Sequence, residues 1–340
     1  MERVSNNNKQ SIAYRLLNSG LSIAELRAAS PLEENAQRIV DHAVVEVGLE
    51  RLQLAADMMA AGLTFPVTDP LSVLEVQWEQ ISKTGGAIRT MSPSARGEAQ
   101  LPDRKIKRVP IYLTIDDFSI GIRTLKSSER IGTPLDTTLV KESTRRVNEA
   151  IEDAAINGAG VTVGAGDTTP GLTYGLLTAP SANTAALTAD WTGTNTIGTT
   201  GPAMLADVLA GISSLQAAKK FGPYNVYVGT KAGNLLNSDF KVNTTDTIRQ
   251  RLEQVEAGGR MLNIRVADRM PNTAVQGDKQ MAIVQMTDDT LDMVTGQSPT
   301  VIPWTSNDGF TLFWLVMAIM IPRFRDDYDG NSGVYIGTKS

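Results

Sequence analysis

The segment 133–158 (TPLDTTLVKESTRRVNEAIEDAAING) most constrains the fold, because it carries the signals for the start, body and end of one long helix. Thr133 can cap the first turn with its hydroxyl, and Pro134 suits the first helical position, where a missing N–H costs nothing. The closing Asn-Gly pair tolerates the left-handed conformation that ends many helices. At 1.5 Å per residue such a helix is roughly 35 Å long, which favours a structural beam over a catalytic element.

The two sides of this expected helix differ in chemistry. One side carries apolar and small residues at three- and four-residue steps, which predicts a face packed on a core. The other side carries arginines and acids, and both Glu142 with Arg146 and Arg145 with Glu149 are spaced for i, i+4 ion pairs. We therefore expect the apolar side to be buried and the charged side to face solvent or a neighbouring subunit.

Composition excludes several classes of chemistry. The 340 residues contain no cysteine and a single histidine, which excludes disulfides, thiolate nucleophiles and His-rich metal clusters within one chain. The formal net charge of −5 argues against a dedicated nucleic-acid-binding protein with a basic body. The longest apolar run, 310–321, is about half the roughly 20 residues of a membrane-spanning helix, so we expect no membrane span.

Residues 1–65 are predicted to form an N-terminal arm. Apolar residues recur with helical spacing over 11–29 and again over 31–61, but we do not expect these stretches to form a core alone. Such an arm needs a partner surface. The single histidine, His42, lies in the second stretch, where a boundary position on a helix is favoured over a lone pH sensor.

A long β-hairpin is predicted next. Residues 72–82 and 108–115 alternate in the period-two manner of strands. The polar connection between them, 83–107, is too long for a tight turn, so we expect a hairpin that projects from the body.

Four of the five residues from 104 to 108 are basic: Arg104, Lys105, Lys107 and Arg108. They could form a patch that seeks acidic partners such as nucleic acid, or a solvated strand edge or salt-bridging interface. The second interpretation is favoured, because no aromatic residues are interleaved for base stacking.

The middle of the chain shows no nucleotide-binding motif. Residues 116–126 are predicted to form a short helix before the long one. The Gly-rich run at 158–166 lacks the Gly-Lys-Ser/Thr of a phosphate loop and the dinucleotide spacing, so it is interpreted as a loop.

The remaining chain predicts an α/β subdomain followed by a return to strands. Residues 201–287 alternate between helix and strand patterns, including a helix at 245–257 capped by Thr244 or Thr245. The apolar run 310–321 predicts a strand at the centre of a sheet covered on both faces, ended by Pro322.

This order of elements resembles the capsid subunits of tailed phages of the Hong Kong 97 type and their cellular relatives, the encapsulins. RVPIYLTIDDFSIG (108–121) resembles the second strand of the family's extended loop and the short helix before its spine. LDTTLVKESTRRVNEAIEDAAINGAG (135–160) resembles the spine helix. Further similar stretches are GLTYGLL (171–177), the helix–strand–helix pattern of 201–257 and FTLFWLVMAIMIPRFRDD (310–327).

The resemblance implies an α+β fold of the Hong Kong 97 capsid type. The implied divisions are an N-terminal arm (1–65), an extended β-hairpin loop (66–116), a peripheral domain (117–170 and 288–340) with its spine helix at 134–157, and an axial α/β domain (171–287).

The implied function is that of a major capsid protein, a non-enzymatic subunit that forms hexamers and pentamers of an icosahedral phage head around double-stranded DNA. The implied partners are further copies of the chain, separate scaffolding, portal and decoration proteins, and DNA held by weak non-specific contact, with no cofactor, metal or membrane. The implied location is the virion, with assembly in the host cytoplasm.

Two alternatives remain open. An encapsulin-like compartment would enclose a cargo enzyme, although about 65 residues precede the extended loop here, which is longer than in those shells. An enzyme would need acid pairs such as Asp116-Asp117, Asp288-Asp289 or Asp326-Asp327 to act together, and adjacent side chains on a strand or helix diverge.

Candidate residues for inter-subunit ion pairs are the charged residues of the hairpin and the long helix: Glu75, Glu79, Arg104, Lys105, Lys107, Arg108, Arg145, Arg146, Glu149 and Glu152.

Overall fold

The computed structural model describes residues 53–83, 89, 91, 101–131, 138–165, 170–242, 245–257, 259–273, 275–305 and 310–339. Most of the expected N-terminal arm, including His42, lies outside these residues, as do Thr133, Pro134 and most of the hairpin tip.

The helices of this part of the chain are α1 (Leu54–Ala60), α2 (Ile122–Ile131), α3 (Thr138–Asn157), α4 (Thr200–Ala217), α5 (Thr230–Leu235) and α6 (Ile248–Glu253), with a 3₁₀ turn at Leu176–Thr178. The strands are β1 (Thr64–Pro66), β2 (Glu75–Ile81), β3 (Arg104–Pro110), β4 (Thr114–Gly121), β5 (Thr162–Val163), β6 (Gly171–Leu172), β7 (Asn183–Leu187), β8 (Tyr224–Val228), β9 (Glu256–Ala257), β10 (Arg260–Met261), β11 (Asn263–Val266), β12 (Lys279–Gln285), β13 (Leu291–Thr305), β14 (Thr311–Phe324) and β15 (Val334–Lys339).

A four-stranded sheet in the order β1-β13-β14-β4 carries the long helix α3 on one face. The apolar side of α3 is buried as predicted, with Val147, Ile151 and Ala155 in one core with Trp314 and Val316 of β14. Because α3 has 20 residues, it spans about 30 Å across the sheet.

A five-stranded sheet in the order β11-β8-β12-β15-β7 holds the second core. Helix α4 packs on it so closely that a Cβ added at Gly211 would lie 2.7 Å from Ile283 Cδ1 and 2.8 Å from Tyr335 Cδ1. The outer strand pairs β11–β8 and β15–β7 are parallel, and the inner pairs β8–β12 and β12–β15 are antiparallel. The α/β alternation predicted for 201–287 is therefore present, but the sheet also takes in β7 and β15.

The predicted helix at 116–126 is wrong over its first half, because β4 continues as a strand to Gly121 and α2 begins at Ile122. β4 is an edge strand paired to β14, and its residues alternate between the two sheet faces. Asp116 and Phe118 point towards α3, while Ile115 and Asp117 point away. The Asp-Asp pair is thus split between two faces and does not mark a helix start.

Pro322 does not end β14, which runs on to Phe324. Strand β4 pairs with β14 only as far as Ala318, so β13 is the one strand partner of β14 beyond that point in the described residues. A residue without an N–H is tolerated where one edge of the strand is unpaired.

The predicted helix at 245–257 is shorter and begins later. The Thr247 hydroxyl accepts a hydrogen bond from Gln250 N at 3.3 Å, and Gln250 Oε1 accepts one from Thr247 N at 3.0 Å. This capping box makes Thr247 the N-cap of α6, in place of Thr244 or Thr245. Glu256 and Ala257 form β9 instead of extending the helix.

The end of the expected arm belongs to the body of the subunit. Leu54, Ala55 and Met58 of α1 are fully buried in the same core as α3, and β1 pairs in parallel with β13. At the other end of the chain, β15 lies between β12 and β7 in the five-stranded sheet. It is not in the sheet beside α3, where the expected grouping of 288–340 placed it.

Candidate subunit interface

A hairpin is present, but its second strand is β3 and not the predicted 108–115, so residues 104–107 belong to a strand and not to the connection between strands. β2 and β3 pair antiparallel from Glu75 opposite Pro110 to Ile81 opposite Arg104. Period-two alternation divides its side chains between two faces. The face towards the body carries Val76, Trp78, Gln80, Lys105, Lys107 and Val109. The outward face carries Glu75, Gln77, Glu79, Ile81, Arg104, Ile106 and Arg108.

The inner half of the hairpin is packed on the body of the same chain. Val76 and Val109 are buried against Val294, Ile319 and Ile321, on the face of the four-stranded sheet opposite α3. This apolar contact fixes the direction in which the hairpin leaves the body.

The outer half is held by polar contacts to the loop 326–329, which we call the hairpin clamp. Gln80 Nε2 donates to the Asp326 carbonyl oxygen at 2.7 Å and to Asp326 Oδ1 at 2.6 Å. Lys83 Nζ lies 2.9 Å from Asp329 Oδ2 and 3.1 Å from Asp327 Oδ2, and hydrogen bonds to these two carboxylates raise its pKa above the ordinary lysine value.

The second strand of the hairpin also contacts the clamp. Tyr328 donates its hydroxyl hydrogen to Asp103, and the Lys105 ammonium lies 3.9 Å from the centre of the Tyr328 ring. Lys107 Nζ lies 3.9 Å from Asp326 Oδ2. Lys105 and Lys107 therefore face their own chain, which is not where an inter-subunit ion pair would need them.

The outward face of the hairpin combines apolar and charged residues. Ile81 and Ile106 are 53% and 56% exposed. Two diagonal ion pairs lie beside them, Glu79 with Arg104 at 3.1 Å and Glu75 with Arg108 at 3.7 Å. Glu79 and Arg104 lie on the exposed part of this face, with side chains 50% and 61% exposed. Glu75 and Arg108, at 24% and 22%, are largely covered, and Arg108 lies beside Gly171 of β6.

The charged side of α3 forms a second group. Arg145 lies 2.9 Å from Glu142 and 3.7 Å from Glu149, and Arg146 lies 3.9 Å from Glu142, so both spacings predicted for ion pairs are occupied. Arg146 also pairs with Asp116 of β4 at 3.2 Å.

Beyond α3, Glu149 pairs with Arg269 at 2.8 Å. These side chains are half-exposed and tie α3 to β4 and to the loop after β11. Arg145, Arg146 and Glu149 remain candidates for contact with a neighbouring subunit.

Glu152 is a poor candidate for an inter-subunit ion pair. It is 5% exposed, and its Oε1 accepts a hydrogen bond from Leu54 N of α1 at 2.9 Å. The helical spacing placed it with Glu149 on the charged side, but α1 covers that end of the helix. The spacing of residues along α3 does not indicate that α1 buries Glu152.

The structure adds residues that sequence reasoning did not single out. The clamp lies in the charged stretch after β14, but only the tertiary structure shows that it holds the hairpin. Ile81 and Ile106 carry a detectable signal, because they are apolar residues on a strand face that otherwise carries charges.

Other types of site find no support in the described part of the chain. It contains no grouping of three or more His, Asp or Glu side chains that could hold a metal ion. None of its helices is both long enough and apolar enough to cross a membrane.

No protein-family model and no curated protein matches the sequence. Solved structures do match the fold. The capsid of Myoviridae phage XM1 aligns with a TM-score of 0.59 and 10% identity over 79% of this chain and 86% of that chain. The chain has the fold of phage capsid subunits.

Two further structures share this capsid fold. The capsid of the native GTA particle aligns with a TM-score of 0.58 and 13% identity over 82% of this chain and 89% of that chain. A virus-like particle from Pyrococcus furiosus aligns with a TM-score of 0.57 and 14% identity over 90% of this chain and 100% of that chain. The resemblance inferred from the sequence is thereby confirmed at the level of the fold, as a mixture of helices and sheets.

Proposed function

We propose that the chain is a major capsid protein, a structural subunit that assembles into hexamers and pentamers of an icosahedral phage head around double-stranded DNA. The observation that carries this proposal is the match to the capsid of phage XM1, which extends over 79% of this chain and 86% of that one. An enzymatic role has no comparable support.

The outward hairpin face supports assembly through contacts between copies. Ile81 and Ile106 together expose apolar surface that an isolated subunit leaves in water, and such surfaces mark interaction sites. Ion pairs on either side of them would give a contact its register, although each exposed pair contributes only about 0–1 kcal/mol. A ring of subunits needs heterologous contacts, in which a projecting element of one copy meets a different surface of the next.

The domain divisions form part of the proposal. Residues 1–65 are the arm, with α1 and β1 anchored on the body, and 66–116 are the extended loop. The peripheral domain comprises 117–170 and most of 288–340, with α3 as its spine. The axial domain comprises 171–287 and gains β15 as an inner strand.

Further partners follow from the same role. Separate scaffolding, portal and decoration proteins are candidate partners, and the net charge of −5 suits weak non-specific contact with packaged DNA. The location would be the virion, after assembly in the host cytoplasm.

The test is to express the full chain, separate the products on a density gradient and image them by cryo-electron microscopy. Closed icosahedral particles with pentameric and hexameric units are expected. A uniform monomer under all assembly conditions would contradict the proposal.

Particle contents separate the two kinds of shell. Particles purified from the native source should contain nuclease-protected double-stranded DNA if the chain is a phage capsid protein. Particles filled with one cellular enzyme, and free of DNA, would instead establish the encapsulin-like alternative.

A further inference from the structure

Glu152 lies where α3 meets the start of α1. Its Oε1 accepts a hydrogen bond from Leu54 N at 2.9 Å, and its Oε2 lies 3.5 Å from Ala55 N. Amide groups in the first turn of a helix have no partner within that helix. The Glu152 side chain therefore caps α1 from another helix, 98 residues away in sequence.

Helix α1 joins everything before residue 53 to the body of the subunit. Its apolar side is fully buried, with Leu54 and Met58 in the core that also contains Val147 and Ile151 of α3. The polar contact from Glu152 holds the first turn, the point where the preceding chain enters. A change in this contact therefore changes how strongly the first turn of α1 is bound to α3.

The surroundings of Glu152 do not neutralise its charge. Asp57 of α1 adds a second carboxylate, which accepts a hydrogen bond from the Tyr227 hydroxyl of β8 at 2.9 Å and lies 3.5 Å from Arg265 of β11. On α3 itself, Glu149 lies one turn before Glu152.

The cations nearby are already paired. Arg269 pairs with Glu149, and Arg265 pairs with Asp57. Among the described residues, Glu152 therefore has amide donors but no ion-pair partner.

Burial without a cation favours the neutral form of a carboxyl group. Burial raises the pKa of Glu152 to about 6, hydrogen bonds from α1 amides oppose the rise, and the charge of Asp57 adds to it. A cavity of about 260 Å³, lined by Gln53, Glu149, Glu152, Asp268 and Arg269, adjoins this residue.

We propose that Glu152 is a proton-dependent anchor for α1, which holds the helix against α3 more firmly when the carboxyl group is protonated than when it is ionised. In the protonated form the carbonyl oxygen still accepts the 2.9 Å bond from Leu54 N. The hydroxyl gives up the longer 3.5 Å contact to Ala55 N, but the cost of burying a charge, the largest influence on this carboxyl group, disappears together with the smaller repulsion from Asp57.

The direction of the effect follows from linkage. With α1 seated, the carboxyl group titrates near 6, and with α1 released into water it returns to its ordinary value near 4.5. The state with α1 seated binds the proton more strongly than the released state does. Its population relative to the released state therefore rises as pH falls from above 6 towards 4.5. The ratio of seated to released α1 should rise about eightfold between pH 7.5 and pH 5.

The test measures hydrogen exchange of the α1 amides in the unassembled full chain at pH 7.5 and pH 5, with rates corrected for intrinsic exchange. Protection of Leu54–Ala60 should rise about eightfold at the lower pH. In Glu152→Gln, which cannot ionise, the protection should change less than about twofold. The control variant Glu142→Gln, ten residues earlier on α3 and outside the cavity beside Glu152, should keep the full response.

Unchanged or reduced wild-type protection at pH 5 would overturn the proposal, as would a full response in Glu152→Gln. If Glu152→Gln does not fold, Asp57→Asn serves in its place. Removing the Asp57 charge should lower the response below that of wild type, and an undiminished response would count against the proposal. None of these outcomes depends on shell formation, so they leave the proposed capsid function untouched.

Discussion

The Asp292 carboxylate and the Arg323 guanidinium lie opposite each other on β13 and β14 and form a two-bond ion pair, with Arg323 Nε 2.8 Å from Asp292 Oδ1. They are only 4% and 3% exposed. Arg325 binds the same carboxylate, and the rings of Phe65 and Trp78 lie 4.7 and 5.4 Å from the Arg323 guanidinium. One acid therefore pairs with two arginines where β1, the hairpin and the four-stranded sheet meet, and the charge of Asp288 also acts on Arg325.

Replacing Asp292 with Asn should destabilise the subunit strongly. The substitution leaves Arg323 buried without a counter-charge, which costs about 3–5 kcal/mol. Urea unfolding followed by circular dichroism measures this loss. Asp246→Asn, at an exposed position away from this cluster, is the matched control and should change stability by less than about 0.5 kcal/mol. Equal losses in both variants would show that the buried pair has no special role.

The two sides of α3 should respond differently to substitution. Val147→Asp and Ile151→Asp place an unpaired charge in the core and should abolish the soluble subunit. Arg146→Ala removes a pair with Asp116 whose arginine side chain is 54% exposed, so folding should survive while assembly weakens. Soluble yield and sedimentation velocity report the two effects. Intact shells in all three variants would contradict the assigned role of α3.

A substitution on the outward hairpin face should leave the stability of the isolated subunit unchanged but should prevent assembly of the shell. Ile106→Asp changes a side chain that is 56% exposed, so the unfolding midpoint should stay close to that of wild type. Particle yield on a density gradient should fall at least about tenfold, because a charge replaces apolar contact at a repeated interface.

Val242→Asp is the control for this variant, since Val242 is 66% exposed but lies outside the hairpin. It should leave particle yield unchanged. A similar loss in both variants would mean that added negative charge, and not the hairpin face, blocks assembly.

Acid should weaken the end of β15 through Asp190. Partial burial alone would raise the pKa of Asp190, but hydrogen bonds from Lys339, Thr192 and Gln280 outweigh it and lower the pKa to about 2. A lowered folded-state pKa stabilises the fold above pH 3.8, and this contribution is lost as pH falls from 3.8 towards 2.

The measurement is the melting temperature at pH 5, 3 and 2 for wild type and Asp190→Asn. The wild type should lose more of its melting temperature over this range than the variant does. Parallel curves for the two proteins would show that Asp190 does not contribute to acid sensitivity.

Local sequence patterns predicted an element correctly where the residues of that element alone determine its structure. The body of α3, the central strand β14 and the first hairpin strand β2 were predicted, because periodicity and length are properties of a single segment. The second hairpin strand was placed at 108–115, whereas β3 runs from Arg104 to Pro110. β4 was missed in part because Asp116 and Asp117 suggested a helix start, and its pairing with β14 prevailed over that local signal. The position of β15 depends on β7, about 150 residues earlier, which no local pattern reports.

The candidate interface shows the same limit. Arg104, Lys105, Lys107 and Arg108 were predicted as one basic patch, and only the pairing of β3 with β2 shows that Lys105 and Lys107 lie on the opposite face from Arg104 and Arg108. Glu152 looked like its neighbour Glu149, and only the packing of α1 distinguishes them. What covers a surface depends on distant parts of the chain. The ion pairs within α3 could therefore be predicted from the sequence, but partners on other elements could not.

The central position of β15 has a consequence for the order of events during synthesis. The chain leaves the ribosome from its N-terminus, so the strands of the four-stranded sheet are all available once residue 324 has emerged. The five-stranded sheet must wait, because β12 and β7 are joined only through residues 334–339. The sheet beside α3 can therefore form before the five-stranded sheet does, and the two cores of the subunit need not form at the same time.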